Sequence, residues 1–309
     1  MGWIGSAPAS TRFQPEGRTC SRSPQSPAAS AALAETLLPT GQGVRAVVRD
    51  EKKGAPWAAR GCDVVIADMD DAGPLTKALT GVEGAFILLP PLFDPSPGFP
   101  ETRAMIAVIR EALEKAAPPK AVVLSTVGAD AMQPNLLNGL RFLEEALASL
   151  PMPLTLLRAA WFMENAEWDI ASARDEGVIR SCLQPLDRPI AMIATADVGR
   201  TAAELLLEDW NGKRVVELQA EERVSPNRIA AAFGKALGRE VKAEVVARDT
   251  WEATFRAHGM NNPVPRMQML DGFNEGWIDF RDRGAHARKG RVGIDEAVAS
   301  LVARKDKPA

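Results

Sequence analysis

Polar side chains follow several apolar runs in the first half of the chain, and their types suit binding of a polar, phosphorylated ligand. Arg49 ends VRAVVR, Asp68 and Met69 follow VVIA, and Ser125 and Thr126 close AVVLST. A guanidinium can donate two parallel, charge-assisted hydrogen bonds to a phosphate. A carboxylate accepts hydrogen bonds, and a hydroxyl both donates and accepts them. These residues indicate ligand binding more than proton transfer.

Few side chains of the chain titrate near neutral pH. There is no tyrosine, and the two histidines are His258 and His286. His258 has no partner pattern around it, so we assign it no catalytic role. Cys20, Cys62 and Cys182 lie far apart without CxxC or CxxH spacing, so neither a disulfide framework nor a metal site is predicted.

Short, continuously apolar runs that alternate with amphipathic segments must position these residues. The runs are VRAVVR (44–49), DVVIAD (63–68), GAFILLPP (84–91), AVVLSTVG (121–128) and PLTLLR (153–158). This alternation is typical of βαβ units and predicts an α/β fold with a doubly wound parallel sheet, covered by helices on both faces. Carboxyl ends of such strands meet at one edge, where ligands bind.

Three regions are predicted along the chain. Residues 1–30 are rich in Ser, Pro, Ala and Arg, show no helical or strand period, and read as a disordered or aberrant leader. An organellar transit peptide has a similar composition. Residues 31–160 should form the sheet domain. Beyond residue 160 short strands mix with helices, which predicts a smaller α+β C-terminal cap over residues 161–309.

In the order VRAVVRD, VVIADMDD, GAFILLPP, VVLSTVGA and LTLLRAAWFMEN, the chain resembles the NmrA-like branch of the atypical short-chain dehydrogenases/reductases. The resemblance implies a Rossmann-type domain that binds NADP(H), with NAD(H) as the other candidate. By it, Arg49 takes the place of the cation that meets the adenosine 2′-phosphate. Asp68 and Met69 take the place of adenine contacts. The alternatives are a solvated strand-end charge for Arg49 and a helix N-cap for Asp68.

The resemblance also assigns residues at the next two strand ends. Leu88, Leu89 and Pro90 would line the ribose and nicotinamide side, although apolar strand ends belong to the core in most proteins. Ser125 and Thr126 would hold a nicotinamide ribose or a substrate carbonyl. Their alternative role is to satisfy nearby backbone at a turn.

Residues after the last strand of this series are expected to line a substrate pocket. Arg158, Trp161, Phe162 and Asn165 match the segment that follows the sixth strand in the family, where the aromatic is commonly tyrosine. An aromatic face suits a flat ring, and an amide both donates and accepts. The alternatives are a core position for Phe162 and a helix cap for Asn165.

The glycine-rich turn that the family places after its first strand, of the type TGxTGxxG, is missing. Ser26-Pro27-Ala28-Ala29 precedes the first helix, and no glycine lies between Gly17 and Gly41. One explanation is a lost phosphate cradle. The other is a leader translated in a shifted frame, because GC-rich codons for residues 25–32 can be read in another frame as Val-Thr-Gly-Arg-Val-Gly-Ser. In either case the chain is expected to lack its first strand.

Two functions follow from the resemblance. Classical members of the superfamily use a YxxxK pair, which a chain without tyrosine cannot form. Hydride transfer to a quinone-like or other small acceptor needs no such pair, because the reduced acceptor takes protons from water and the chemistry belongs to the cofactor. We therefore expect either an NAD(P)H-dependent oxidoreductase with unassigned catalytic residues or a non-catalytic protein that senses NADP(H).

Charge and hydropathy limit the remaining partners. The formal net charge is −3 and no basic stripe is present, which argues against direct nucleic-acid binding. No apolar run reaches the roughly 20 residues that span a bilayer, so we expect a cytoplasmic protein that binds only small molecules. The pattern is compatible with a homodimer.

Overall fold

The computed structural model describes residues 2–4, 25–281 and 287–305. Strands and helices alternate through the first half of the chain, as predicted. The strands are β1 Gly2–Ile4, β2 Arg45–Val48, β3 Asp63–Ile66, β4 Ala85–Ile87, β5 Ala121–Thr126, β6 Leu154–Ala159, β7 Trp161–Phe162, β8 Val178–Ser181, β9 Met192–Ile193, β10 Lys213–Ala220, β11 Lys242–Val245 and β12 Ala287–Gly290. The α-helices are α1 Gln25–Leu37, α2 Glu51–Ala58, α3 Ala72–Leu79, α4 Pro100–Ala116, α5 Asn138–Leu147, α6 Ile170–Asp175, α7 Thr195–Leu207, α8 Pro226–Leu237, α9 Trp251–Ala257, α10 Val264–Glu275 and α11 Ile294–Lys305.

Eight strands form one parallel sheet in the order β12-β10-β6-β5-β4-β1-β2-β3. The order runs outward in both directions from β1, as in doubly wound folds, so the predicted fold class is confirmed. Such sheets bind ligands outside the carboxyl ends of their strands.

The beginning of the chain differs from the expectation. Gly2–Ile4 pairs in parallel with both β2 and β4, so the first-strand position that the chain was expected to lack is occupied. A sheet interrupted between β2 and β4 would leave backbone groups of both strands unpaired, and even three residues satisfy part of this demand. Helix α1 starts at Gln25, five residues before the predicted position. The residues Ser26 to Ala29, which were expected to precede the first helix, therefore belong to its first turns, and residues 5–24 lie outside the described part of the chain.

Alternating side chains of the central strands serve two separate cores. Phe86, Val122 and Leu124 pack into the cluster that contains α1 and α7. Ile87 and Val123 point the other way and pack into the cluster of α3, α4 and α5. Because successive residues of a strand face opposite sides of a sheet, the continuous apolar runs correspond to burial on both faces.

Helices α1 and α7 pack very closely against each other at Gly199. A Cβ built at this glycine would lie 2.6 Å from both the Cβ of Ala32 and the backbone nitrogen of Leu33. No side chain fits there without moving α1, so glycine fixes the separation of the two helices.

The region beyond residue 160 does more than form a separate cap, because two of its strands belong to the main sheet. Strand β10 pairs with β6, β12 pairs with β10, and α7 covers the sheet. The sheet therefore extends past the expected domain boundary, because β6 would otherwise remain an exposed edge. The small parallel pair β8–β11 and helices α8 to α10 form the additional part. Within the described residues, no helix is both long and apolar enough to cross a membrane.

Candidate functional site

A mainly apolar cavity of about 200 Å³ lies at the carboxyl ends of β4, β5 and β6. Eight of the residues predicted to bind cofactor or substrate line it, and the other four do not. The eight are Leu88, Leu89, Pro90, Ser125, Thr126, Trp161, Phe162 and Asn165. The structure therefore brings together residues from the ends of β4 and β5 and from the segment after β6.

Arg49 and Asp68 lie side by side at the ends of β2 and β3, outside this cavity. The Nε of Arg49 is buried and lies 3.3 Å from Oδ1 of Asp68, and it has no hydrogen-bond partner among the described residues. Asp68 does not cap the following helix, because Asp71 does so by accepting from the backbone amide of Gly73 at 2.9 Å. Asp68 therefore does not have the N-cap role that was its alternative, and Arg49 pairs with Asp68 at the strand edge.

The backbone amide of Met69 is already engaged. It donates to Oδ1 of Asp68 at 2.7 Å, and the Met69 side chain is buried in the core of α3 to α5. Its predicted contact with an adenine nitrogen would compete with the Asp68 bond.

Arg158 was predicted to line the substrate pocket, but in the structure it does not line the cavity. Its Nε and Nη2 atoms donate to the two oxygens of Glu144 at 3.0 and 2.7 Å, and its Nη1 lies 3.1 Å from Oδ2 of Asp130. Burial lowers the pKa of Arg158, but the hydrogen bonds and charge of Glu144, reinforced by Asp130, outweigh burial and leave that pKa above its usual value. Arg158 belongs to a buried ion pair.

The two hydroxyls at the end of β5 are both engaged. Ser125, which is 2% exposed, donates through Oγ to Oε1 of Glu144. Thr126 donates to the backbone carbonyl of Val127 at 3.1 Å, which is the turn role that was its alternative.

Aromatic side chains form much of the cavity wall. Trp161 and Phe273 meet edge to face with ring centres 5.1 Å apart, and Phe93 and Trp168 meet similarly at 6.1 Å. Arg266 is the one charged residue among those described that line the cavity. Its guanidinium lies 5.6 Å from the centre of the Trp168 ring, within the range of cation–π attraction. The wall suits a flat, apolar ring.

The loop that supplies Phe93 is fastened to the turn between α9 and α10. Asp94 accepts from the backbone amides of Asn261 and Asn262 at 2.8 and 2.7 Å, and from the Asn261 side chain at 3.0 Å. Partial burial raises the pKa of Asp94, but these hydrogen bonds outweigh it and lower that pKa below its usual value. The contact closes one side of the cavity.

Asp169 ends the 3₁₀ segment Met163–Asp169, which carries Asn165 and Trp168 to the cavity. Burial raises the pKa of Asp169 to about 7. The residue as a whole is only half-buried, and burial of its carboxyl group is the cause of the raised pKa. A segment that helps to build the cavity thus carries a group that titrates near neutral pH.

Sequence reasoning missed Glu144, Arg266 and the Asp94 contact. Glu144 had a detectable signal, because it lies four residues after Leu140 and three before Leu147, on the apolar face of α5. A carboxylate on an apolar face predicts a buried partner. Arg266 and Asp94 contact elements distant in sequence, so no local pattern indicated them.

The sequence of the chain is similar to one protein family and to individual reductases. The NmrA-like family matches it over residues 28–274. It is 29% identical over 223 residues to quinone oxidoreductase 2 of Escherichia coli (strain K12), covering 72% of this chain and 75% of that protein. It is 25% identical over 248 residues to an NAD(P)H azoreductase of Xenophilus azovorans, covering 79% of each.

Solved structures share the fold. An NADPH-dependent quinone oxidoreductase from Escherichia coli, complexed with NADPH, superposes with a TM-score of 0.73 at 22% identity, covering 97% of this chain and 99% of that one. A triphenylmethane reductase from Citrobacter sp. gives 0.71 at 18% identity, covering 89% and 96%. The predicted resemblance is confirmed: the chain belongs to the NmrA-like family.

Proposed function

We propose that this protein is an NAD(P)H-dependent reductase that passes a hydride to a flat, quinone-like acceptor. The observation that carries the proposal is the apolar, aromatic-walled cavity at the carboxyl ends of β4 to β6, which is where an open α/β sheet binds its ligands. The names of the two relatives from Escherichia coli and Xenophilus azovorans, a quinone oxidoreductase and an azoreductase, support the same reaction class.

Arg49 fits the adenosine end of a phosphorylated dinucleotide. Its buried Nε lacks a hydrogen-bond partner within the part of the chain that the structure describes, and a 2′-phosphate beside the strand end would supply acceptor oxygens. Asp68 holds the guanidinium in place from the neighbouring strand. This arrangement favours NADPH over NADH.

The chain's own residues would orient the ligand and exclude water. A bound NAD(P)H supplies the hydride. Trp161 and Phe162 would hold a flat acceptor ring, and Leu88, Leu89 and Pro90 would keep the hydride path dry. NAD(P)H supplies one hydrogen and two electrons as the hydride, and one proton completes the hydroquinone. Because a chain without tyrosine has no YxxxK acid, that proton would come from water.

Titration with NADPH and NADH, followed by quenching of the Trp161 and Trp168 fluorescence, tests cofactor binding. Arg49→Gln should weaken NADPH binding about tenfold or more, because hydrogen bonds to charged groups are lost, and leave NADH binding nearly unchanged. Arg45→Gln is the matched control, because Arg45 lies at the opposite end of the same strand and pairs with Asp63. Equal losses for both variants and both cofactors would contradict the assignment of Arg49.

Turnover separates the two candidate functions. Mixing the protein with NADPH and a water-soluble benzoquinone should consume NADPH in step with hydroquinone formation. Tight NADPH binding without turnover of quinone or azo acceptors would instead favour the NADP(H)-sensing protein. If the protein binds no dinucleotide, both candidate functions are contradicted. The homodimer and the cytoplasmic location stay predictions.

A further inference from the structure

Ser125 stands between the cavity and a buried ion pair. The residue lines the cavity, while its Oγ donates to Oε1 of Glu144, which lies behind it on α5. Both residues are buried, at 2% and 8% exposure. The direction of this one hydrogen bond determines what the serine can offer to a ligand.

Arg158 determines that direction. Two of its nitrogens donate to the two oxygens of Glu144 in a bidentate pair, and a carboxylate paired in this way accepts hydrogen bonds and donates none. Asp130 holds the third guanidinium nitrogen at 3.1 Å, which keeps the guanidinium plane oriented. Glu144 and Arg158 are therefore positioning residues for the Ser125 hydroxyl.

A serine hydroxyl carries one hydrogen and two lone pairs. Because its hydrogen is committed to Glu144, the oxygen of Ser125 has only lone pairs left for the cavity. We propose that Ser125 acts toward the cavity as a hydrogen-bond acceptor, and that the site therefore selects a ligand group bearing an N–H or O–H at this point. This inference rests on the proposed function and deepens it.

Three groups of the proposed reaction carry such a donor: a ribose hydroxyl of the dinucleotide, the carboxamide of the nicotinamide, and the hydroxyl of a reduced, hydroquinone-like acceptor. The apolar, aromatic wall of the cavity around Ser125 suits a flat ring, so the inference commits to the two groups that are carried on a ring. A substrate carbonyl, which Ser125 was expected to hold, is excluded from this contact because it offers lone pairs only. The neighbouring hydroxyl of Thr126 likewise donates its hydrogen within the protein, to the backbone carbonyl of Val127.

The experiment compares ligands that differ only in the donor. NADP⁺ is titrated against its acetylpyridine analogue, in which a methyl ketone replaces the carboxamide, and a benzohydroquinone is titrated against its benzoquinone. The intact protein should prefer the donor-bearing member of at least one pair by about three- to tenfold, the value of one hydrogen bond. Ser125→Ala should bring that ratio close to one. The pair that responds identifies which of the two groups meets Ser125.

Two further variants keep the test decisive. Ser125→Cys retains the side-chain bulk with a weaker acceptor, so it should reduce the ratio even if the alanine variant folds poorly. Glu145→Gln is the matched control, because Glu145 is next to Glu144 on α5 but pairs with Arg141 at the surface, so this change should leave the Ser125-dependent ratio unchanged. Ratios of affinity do not respond to a general loss of stability.

The outcomes distinguish a failure of this inference from a failure of the proposed reductase function. If NADP⁺ binds but neither pair shows a Ser125-dependent preference, or if the ketone and quinone are preferred, the inference is overturned and the reductase proposal stands. If no dinucleotide or quinone binds at all, both are overturned together.

Discussion

The ion pair of Glu144 and Arg158 should contribute strongly to stability, and it can be tested by removing one partner at a time. The side chains of Arg158 and Glu144 are 14% and 10% exposed, so water screens neither charge well. Arg158→Met would leave the Glu144 carboxylate buried with Ser125 as its remaining donor. Losing one partner of a buried pair costs about 3–5 kcal/mol, and we expect that loss for either single replacement by methionine.

Replacing both partners by methionine should cost much less than the two single changes together. No buried charge is then left alone, and the main remaining loss is the Ser125 hydroxyl without an acceptor, about 1–3 kcal/mol. Asp130, about one-third exposed, can turn to water. The two single effects should therefore be non-additive by at least about 3 kcal/mol.

Urea unfolding followed by circular dichroism measures these free energies. Glu145→Met is the matched control, because Glu145 is next to Glu144 on α5 but pairs with Arg141 at the surface, at 2.8 Å. An exposed pair of this kind is worth less than about 1 kcal/mol. If the Glu144 and Arg158 effects add within about 0.5 kcal/mol, or if Glu145→Met costs as much as Glu144→Met, the reasoning about burial is wrong.

Four further predictions concern other parts of the structure. Gly199→Ala should cost about 1–3 kcal/mol by forcing α1 away from α7, measured by urea unfolding, whereas Gly43→Ala, with open space around it, should be near neutral. Because the pKa of Asp169 is raised in the folded protein, the folded state keeps a proton that the unfolded state loses above about pH 4. The free energy of unfolding should therefore fall, relative to that of Asp169→Asn, as pH rises from about 4 to 7, and then level off. Parallel pH curves for the two proteins would contradict this. Asp94→Ala should cost about 1–3 kcal/mol and speed proteolytic cleavage of the loop 91–99, and an unchanged cleavage rate would refute the role of the contact in closing the cavity. Arg266→Gln should lower kcat/KM for a sulfonated quinone about fivefold more than for a neutral one, since about 1 kcal/mol of attraction is lost, and equal losses would show that the charge does not reach the acceptor.

The sequence by itself determined the strand series and the edge where ligands bind. Runs such as DVVIAD and AVVLST can be buried on both faces only in a parallel sheet, so the strand ends that carry Arg49, Asp68 and Ser125 had to meet at one edge. That part follows from local pattern, because apolar periodicity is a property of neighbouring residues.

Only the tertiary structure decided how those residues are used. Arg158 lies near the end of β6, yet its side chain turns to a carboxylate fourteen positions earlier on α5, and that contact sets the direction of the Ser125 hydrogen bond. The first-strand position is filled by Gly2–Ile4, because the sheet needs a strand between β2 and β4. The wall of the cavity comes from Arg266 and Phe273, more than a hundred residues after the strands they face. Such contacts depend on chain crossings that no local pattern encodes, since the energy of a buried charge depends on which distant partner the fold brings to it.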